Sequence, residues 1–335
     1  MEFTFLGTSS GIPTKQRNVS GLALRVESAK GWYLVDCGEG TQHQLLHLPY
    51  TLKQLAAVFI THIHGDHCYG LPGLLASAGM AGRSDALTII APRPLKEFIA
   101  AVVRCTALQL PYELRFIAVE DLNEAWLGVD VTVSRVELSH RVPSYAYVFT
   151  EKNIEKKLNI DKLREQAIPA GPVWGQLQRG EDVKLDDGRT LASTDYLMAG
   201  RKPRRIIVGG DNDTPELLRA VCENTHVLSH EATYTEAVSE RVGPAPQHSS
   251  AAKVAKFAQS AALPNLVLTH FSARYQQGSD GGPSVADLEQ EAQAFYRGNL
   301  FMARDLDKYV LHRKGDCLKY LPARPRGYRG NTSDC

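Results

Sequence analysis

Short apolar runs, each closed by a polar or glycine-rich tip, recur along this chain. Residues 1–6 alternate into a short strand, residues 21–26 and 31–35 read as a hairpin pair, and residues 55–60 end in the β-branched and aromatic types that strands prefer. Leu87–Ala91 gives another strand, Pro94–Cys105 a helix with apolar residues at helical spacing, and residues 128–138 and 145–149 further strands. From residue 205 strands over 205–208, 226–229 and 265–269 alternate with helices over 214–223 and 251–261; Ser249 and Ser250 are good N-caps for the second helix. Further helices are expected over 42–47, 67–80 and 284–297. Strand, polar tip, helix is the rhythm of a layered α/β fold, which gathers functional side chains at strand ends.

Residues 150–205 break the rhythm. They are highly charged, contain Ile168-Pro169-Ala170-Gly171-Pro172 and enclose the turn Leu185-Asp186-Asp187-Gly188-Arg189, which reads as an insertion. The expected organisation is a catalytic domain of residues 1–149 and 206–312, an inserted arm of residues 150–205, and a basic, flexible tail of residues 313–335. Residues 276–283 form a Gly/Ser-rich turn, and the tail sets Arg313, Lys314, Lys319, Arg324, Arg326 and Arg329 against Asp316. Such a charge run suits either an RNA-contacting tail or an inert end.

Composition narrows the partners. Thirty-eight basic against 37 acidic residues leave a net charge of +1, so a nucleic acid would have to be met by a local patch rather than by overall charge. The 43% hydrophobic share permits a large core in 335 residues. Six cysteines without a CxxC pair argue for reduced thiols rather than a disulfide framework, and Cys68 reads as a small buried hydrophobe. No basic leader and no 18-residue apolar run is present, so the expected location is the cytoplasm, with no membrane contact.

The densest chemistry lies in Thr61-His62-Ile63-His64-Gly65-Asp66-His67, directly after an apolar run. On a strand His62 and His64 would share a face, while Asp66 and His67 fall past the bend, an arrangement that suits two metals side by side. Histidine and aspartate fit Zn²⁺ best, with Mn²⁺, Co²⁺ or Fe as substitutes. The stretch resembles the HxHxDH signature of the metallo-β-lactamase superfamily. Other strand ends carry His140, Asp211 and His270. Shared out, one metal takes His62, His64 and His140, the other Asp66, His67 and His270, with Asp211 bridging. Two ions about 3.5–4 Å apart lower the pKa of a shared water and clamp a phosphate, which makes a hydrolytic site for phosphodiesters. Asp36, followed by glycines at a strand end, can orient a metal-bound histidine from behind. In residues 7–14, glycines permit close backbone approach to a phosphate, or simply a turn.

Longer motifs resemble those of one family, ribonuclease Z in its short bacterial form. They are residues 5–14 with Arg17-Asn18, Asp36-Cys37-Gly38-Glu39-Gly40-Thr41-Gln42, the histidine stretch continued by Gly70-Leu71-Pro72-Gly73-Leu74-Leu75, His230-Glu231-Ala232-Thr233, His248-Ser249-Ser250 and Ser272-Ala273-Arg274-Tyr275. The resemblance covers roughly residues 1–275. It implies a metallo-β-lactamase fold, an αββα sandwich of two mixed sheets between helices with an inserted flexible arm. It also implies a zinc endonuclease that removes the 3′ trailer of precursor tRNA, leaving a 3′-hydroxyl, and works as a homodimer. The family's glutamate–histidine pair carries over to Glu231 and His248, with Asp66 the expected base. Its arm grips tRNA through a Gly-Pro motif, here Gly171-Pro172, with Lys156 and Lys157 among the basic residues before it. Arg274 would contact a phosphate, stack on a base or form a salt bridge. The alternatives are a small-molecule phosphodiesterase or other hydrolase of the same superfamily, which would lack the arm and the pair, and a non-catalytic RNA-binding module, which would not need all seven ligands.

Overall fold

The computed structural model describes residues 1–27, 29–152, 154, 156–198, 200–276, 282–313 and 318–322. Among them one sheet of eight strands runs in the order Leu318–Leu321, Lys308–Leu311, Glu2–Gly7, Gly21–Arg25, Trp32–Cys37, Leu55–Phe59, Leu87–Ala91 and Leu114–Ala118. Its first half pairs antiparallel and its second half parallel. A second sheet of seven strands runs Asn299–Met302, Asn265–Thr269, Val227–Glu231, Arg205–Val208, Ser144–Glu151, Val131–Leu138 and Trp126–Leu127, again part parallel and part antiparallel.

Alternation along the strands sorts side chains into layers. Tyr33 and Val35 face the interior between the sheets with Phe3, Phe5, Phe59, Tyr147, Phe149 and Tyr309, while their neighbours Trp32 and Leu34 turn to the outer face, where Leu71, Leu74, Leu75 and Leu95 cover them from helices. The second sheet is covered likewise: Leu228, Leu266 and Leu268 lie against Ala251, Val254, Phe257 and Leu288. The result is helix, sheet, sheet, helix.

Several expected elements are corrected. The helix expected over 67–80 is two pieces, Gly65–Cys68 and Leu71–Met80. The break falls at Gly70, where a Cβ would stand 2.1 Å from the Gly38 carbonyl oxygen, so the chain there must remain glycine to pass the Asp36 loop. Residues 214–223 form a tight 3₁₀ turn, Pro215–Leu218, followed by Arg219–Cys222. The strands Leu114–Ala118, Asn299–Met302, Lys308–Leu311 and Leu318–Leu321 were not anticipated. The last two pair with each other and extend the first sheet, so a flexible tail from residue 313 is wrong for residues 318–321. Residues 277–281, 314–317 and 323–335, among them Lys314, Asp316, Arg324, Arg326 and Arg329, lie outside the described residues. Among the described cysteines Cys37, Cys68, Cys105 and Cys222 are free, with Cys68 buried. No described helix is long and apolar enough to cross a membrane.

Contacts divide the chain into one unit of Met1–Glu151 and Arg204–Cys335 and a second of Lys152–Pro203. Where the first unit gives way to the second, Glu151 N–H donates to the Arg204 carbonyl (3.0 Å), and the buried Arg204 guanidinium donates to the Glu151 carboxylate from Nη2 (2.6 Å) and Nε (3.0 Å). Glu151→Ala leaves the buried Arg204 guanidinium with only the half-exposed Glu27 carboxylate at 3.6 Å to balance it among the described residues, so the loss is expected to approach the roughly 3–5 kcal/mol of a broken buried ion pair. The measurement is the urea midpoint; a loss below about 1 kcal/mol would mean that Glu27 suffices as the counterion of Arg204.

The second unit folds around its own small core of Leu163, Ile168, Leu177, Val183, Leu191 and Tyr196. It holds the helices Ile160–Glu165, Pro172–Gln178 and Ser193–Tyr196 and two two-stranded ribbons. Asn159 caps the first helix by accepting from Lys162 N–H at 3.0 Å, and Pro172 opens the second.

Candidate metal centre

The functional side chains stand at or just past the carboxyl ends of strands. Asp36 lies near the end of Trp32–Cys37, His62 and His64 follow Leu55–Phe59, His140 follows Val131–Leu138, Asp211 follows Arg205–Val208, Glu231 ends Val227–Glu231 and His270 follows Asn265–Thr269. The shared strand face expected for His62 and His64 is corrected, because the strand stops at Phe59; the two rings meet from an extended loop instead, His62 Nε2 to His64 Nδ1 at 3.1 Å.

Two clusters result. His62, His64, His140 and Asp211 bring their donor atoms within 4.8 Å of one another, and so do Asp66, His67 and His270. Asp211 divides its oxygens between them: Oδ2 lies 3.6 Å from His62 and 3.7 Å from His140, Oδ1 3.5 Å from His67 and 3.4 Å from His270. His140 Nε2 to His64 Nδ1 and His67 Nε2 to His270 Nε2 are both 3.2 Å. Tetrahedral zinc with nitrogen ligands at about 2.0–2.1 Å has edges of about 3.3 Å, so these spacings fit a cation at the centre of each cluster.

Outer groups fix the rings. His140 Nδ1 faces the Gln247 carbonyl at 2.9 Å and His67 Nδ1 the Asp36 carboxylate at 2.7 Å, which turns the other nitrogen of each ring inward. Asp36 in turn accepts from Thr61 N–H (2.8 Å) and the Thr61 hydroxyl. Asp36 and His270 both carry φ of +58°, uncommon for residues with a side chain. Burial lowers the pKa values of His62, His64 and His140, with the neighbouring rings contributing, which keeps them neutral as ligands must be. Around His67 burial opposes charge, yet Asp66, Asp36 and Asp211 outweigh it and raise that pKa, so the second cluster draws positive charge. Asp66 is likewise buried, but His67 and His270 hold its carboxyl well below the ordinary range and keep it ionised.

Beside the clusters His248 Nδ1 faces both Glu231 oxygens, at 3.0 and 3.1 Å. Burial disfavours charge on both, but their mutual attraction prevails: the carboxylate raises the pKa of His248, and the imidazolium lowers that of Glu231. Asn212 N–H donates to Glu231 Oε1 at 2.8 Å and the Thr233 hydroxyl to Oε2. The same hydroxyl lies 3.2 Å from His270 Nδ1, linking the pair to the metal cluster. Ser250 caps the helix Ala251–Ser260 by accepting from Lys253 N–H.

Arg274 is exposed and lies over the Tyr234 ring, its carbon 5.1 Å from the centroid, with Nε donating to Ser272 Oγ. Gly171, Pro172, Lys156 and Lys157 are exposed residues of the second unit. A Cβ on Gly171 would meet nothing within 4 Å, so the fold of that unit does not itself demand a glycine there. In the N-terminal loop, read as a turn or a phosphate approach, the Gly11 N–H donates to Asp66 Oδ2 at 2.8 Å. Thr61, Asn212 and Thr233 escaped the sequence reading, although Thr61 and Thr233 lie inside the motifs that carried it.

Comparisons with known proteins place likenesses beside this geometry. A ribonuclease Z of Marinobacter nauticus is 58% identical over 313 residues, 93% of this chain and 97% of its own. One of Pseudomonas putida is 52% identical over 318 residues, covering 95% and 98%. The match therefore extends well past residue 275, where the motif resemblance was expected to fade. Residues 1–111 match the family model described as Anti-Pycsar protein Apyc1. Among solved structures, the short form of human tRNase Z superposes with a TM-score of 0.63 at 25% identity, over 92% of this chain and 98% of its own. The metallo-β-lactamase fold protein YhfI of Bacillus subtilis gives 0.62 at 16% identity, over 92% and 97%, and so speaks for the fold alone.

Proposed function

Because the chain belongs to the ribonuclease Z family, we propose that its clustered histidines and aspartates serve hydrolysis of one phosphodiester of precursor tRNA, beside the discriminator nucleotide. The product is a tRNA with a 3′-hydroxyl, and the trailer leaves with a 5′-phosphate. His62, His64, His140 and Asp211 would hold one zinc ion, and Asp66, His67, His270 and Asp211 a second, with Mn²⁺, Co²⁺ or Fe able to replace them. When bound, the ions supply the Lewis acidity that lowers the pKa of water and balances charge on the phosphate. Asp36 orients His67 from behind. Asp66, ionised at the cluster, takes the proton of the attacking water. His248 donates its Nε2 proton to the departing O3′ while Glu231 keeps Nδ1–H fixed and the ring protonated. The observation that carries this reading is the Glu231–His248 pair at 3.0 Å, set against one cluster that contains Asp211 and a second that its Oδ1 approaches to 3.4 Å.

The unit Lys152–Pro203 is proposed as the arm that docks the tRNA away from the cut, through Gly171-Pro172 and basic residues such as Lys156 and Lys157, with Arg274 stacking at the site itself. An exposed glycine that its own fold does not require supports a contact role. The protein would act in the cytoplasm as a homodimer; the four free cysteines among the described residues suit that reducing compartment, and sedimentation tests the dimer.

The test is cleavage of a 3′-extended precursor tRNA with and without chelator. Chelator-sensitive cutting at the discriminator supports the reading; intact, metal-loaded protein that leaves the tRNA uncut would point to a small-molecule hydrolase. A variant that joins Glu151 to Arg204 by a short linker, in place of Lys152–Pro203, then tests the arm. Its KM for precursor tRNA is expected to rise at least about tenfold, equivalent to about 1.4 kcal/mol, with hydrolysis of a small chromogenic diester unchanged. Equal losses on both substrates would remove the docking role.

A further inference from the structure

We propose that Asp305 is a positioning residue for the reaction, one carboxylate that closes the base of the loop of residues 8–18 and so delivers the Gly11 amide to Asp66. The proposal rests on Asp66 belonging to the reactive centre. Asp305 lies far from the motifs, on the turn between Asn299–Met302 and Lys308–Leu311. That turn is anchored independently of the loop, since Leu306 N–H donates to the Phe5 carbonyl at 2.7 Å.

The two carboxylate oxygens take the two ends of the loop. Oδ1 accepts from the Thr8 hydroxyl at 2.8 Å. Oδ2 accepts from Asn18 N–H at 2.6 Å and from Gln44 Nε2 at 2.9 Å. Thr8 and Ser9 both donate their N–H groups to the Asn18 carbonyl at 2.9 Å, which completes the closure. From this base the loop reaches the metal cluster twice. The Thr8 carbonyl accepts from Phe271 N–H at 2.9 Å, one residue beyond His270, and Gly11 N–H donates to Asp66 Oδ2 at 2.8 Å. Beyond Gly11 the loop turns outward, leaving Ile12 62% exposed.

A hydrogen bond to an ionised carboxylate is strong and directional, so the Gly11 amide fixes which way Asp66 presents its oxygens. Gly11 can do so only while both ends of its loop stay together. The surroundings of Asp305 suit that task better than charge pairing. Burial pushes its pKa up to about 6 against the pull of the Asn18 and Thr8 hydrogen bonds and the charge of Arg17. The Arg17 guanidinium is itself committed elsewhere, to the Tyr275 carbonyl at 2.6 Å and over the Phe271 ring. Asp305 thus acts as an acceptor for three donors and belongs to none of the metal-capable clusters.

The test compares Asp305→Ala, Asp305→Asn and Thr8→Val. Asparagine keeps the closure, because its carbonyl can accept from Asn18 and Gln44 while its NH₂ donates to the Thr8 oxygen. Asp305→Ala is expected to lower kcat about 10–100-fold on both precursor tRNA and a small diester, with KM for the tRNA changed less than about threefold. It should also release metal to a chelator at least about tenfold faster. Asp305→Asn should restore both readouts to within about threefold of wild type, and Thr8→Val, which loses a single bond, should show a smaller loss in the same direction. Should Asp305→Ala fail to fold, Thr8→Val and Asp305→Asn decide alone. The proposal is overturned if Asp305→Asn is as impaired as Asp305→Ala, or if the variants melt earlier but keep kcat and metal retention. A wild type inactive on tRNA would count against the substrate reading, while the metal-release comparison would still decide the role of Asp305.

Discussion

Replacing His248 with alanine is expected to lower turnover of precursor tRNA by about 10²–10⁴-fold, the usual share of a positioned general acid, while leaving the metal content intact. His248 turns Nδ1 toward Glu231 and stands 3.7 Å from Asp211, so its donor atom is spent on the carboxylate rather than on a metal cluster. Single-turnover kinetics together with metal analysis of the purified variant check this. Metal lost along with activity would make His248 a ligand, a possibility its grouping with Asp211 and His270 makes worth excluding. The pH dependence follows from the partner. His248 must be protonated to donate, and its raised pKa preserves that form until the pH climbs through it. Glu231→Gln removes the carboxylate that raises it, so the alkaline limb of the rate profile should move to lower pH; an unmoved limb would detach His248 from the acid role.

Stripping the metal is expected to abolish activity and to lower the melting temperature. The physical reason is the concentration of buried negative charge: Asp36, Asp66 and Asp211 surround His67, whose proton is then left as their main local counterion. A cation that binds only the folded chain contributes about 4 kcal/mol at a free concentration 1,000 times its Kd. For a chain of this size that corresponds to a fall on the order of 5–10 °C on chelation. Calorimetry with chelator, followed by re-addition of zinc, measures it. Unchanged melting together with unchanged activity would sink the two-metal reading.

Much of this was legible in the sequence because strand tips and metal ligands share a local grammar. Asn265–Thr269 and Pro94–Cys105 were read at the bounds they adopt, since apolar periodicity and a Pro at the helix start are local signals. His62, His64, Asp66 and His67 were legible through their spacing alone. What was missed depends on distant partners. The need for glycine at Gly70 comes from the Gly38 carbonyl, a neighbour 32 positions earlier, although the break itself also has a local cause in Pro72, which has no N–H to continue the helix. The positive φ of Asp36 and His270 left no mark in the residue types themselves. Lys308–Leu311 and Leu318–Leu321 became strands by adding to an edge made from Glu2–Gly7, and a basic run disguised the second as a tail. Asp305 carried no signal at all, because its meaning lies in Thr8, Asn18 and Gln44.

His67 and His270 stand 3.2 Å apart although 203 positions separate them in the chain. The order of synthesis therefore sets when the enzyme can exist. While a ribosome is still translating the first half, His62, His64, Asp66 and His67 are already made, but Asp211, Glu231, His248 and His270 are not. On the assignment proposed above, a nascent chain holds only half of the site and is expected to be inert toward the RNA around it. On that assignment a product of premature termination before residue 270 is expected to be a silent fragment rather than an unregulated nuclease.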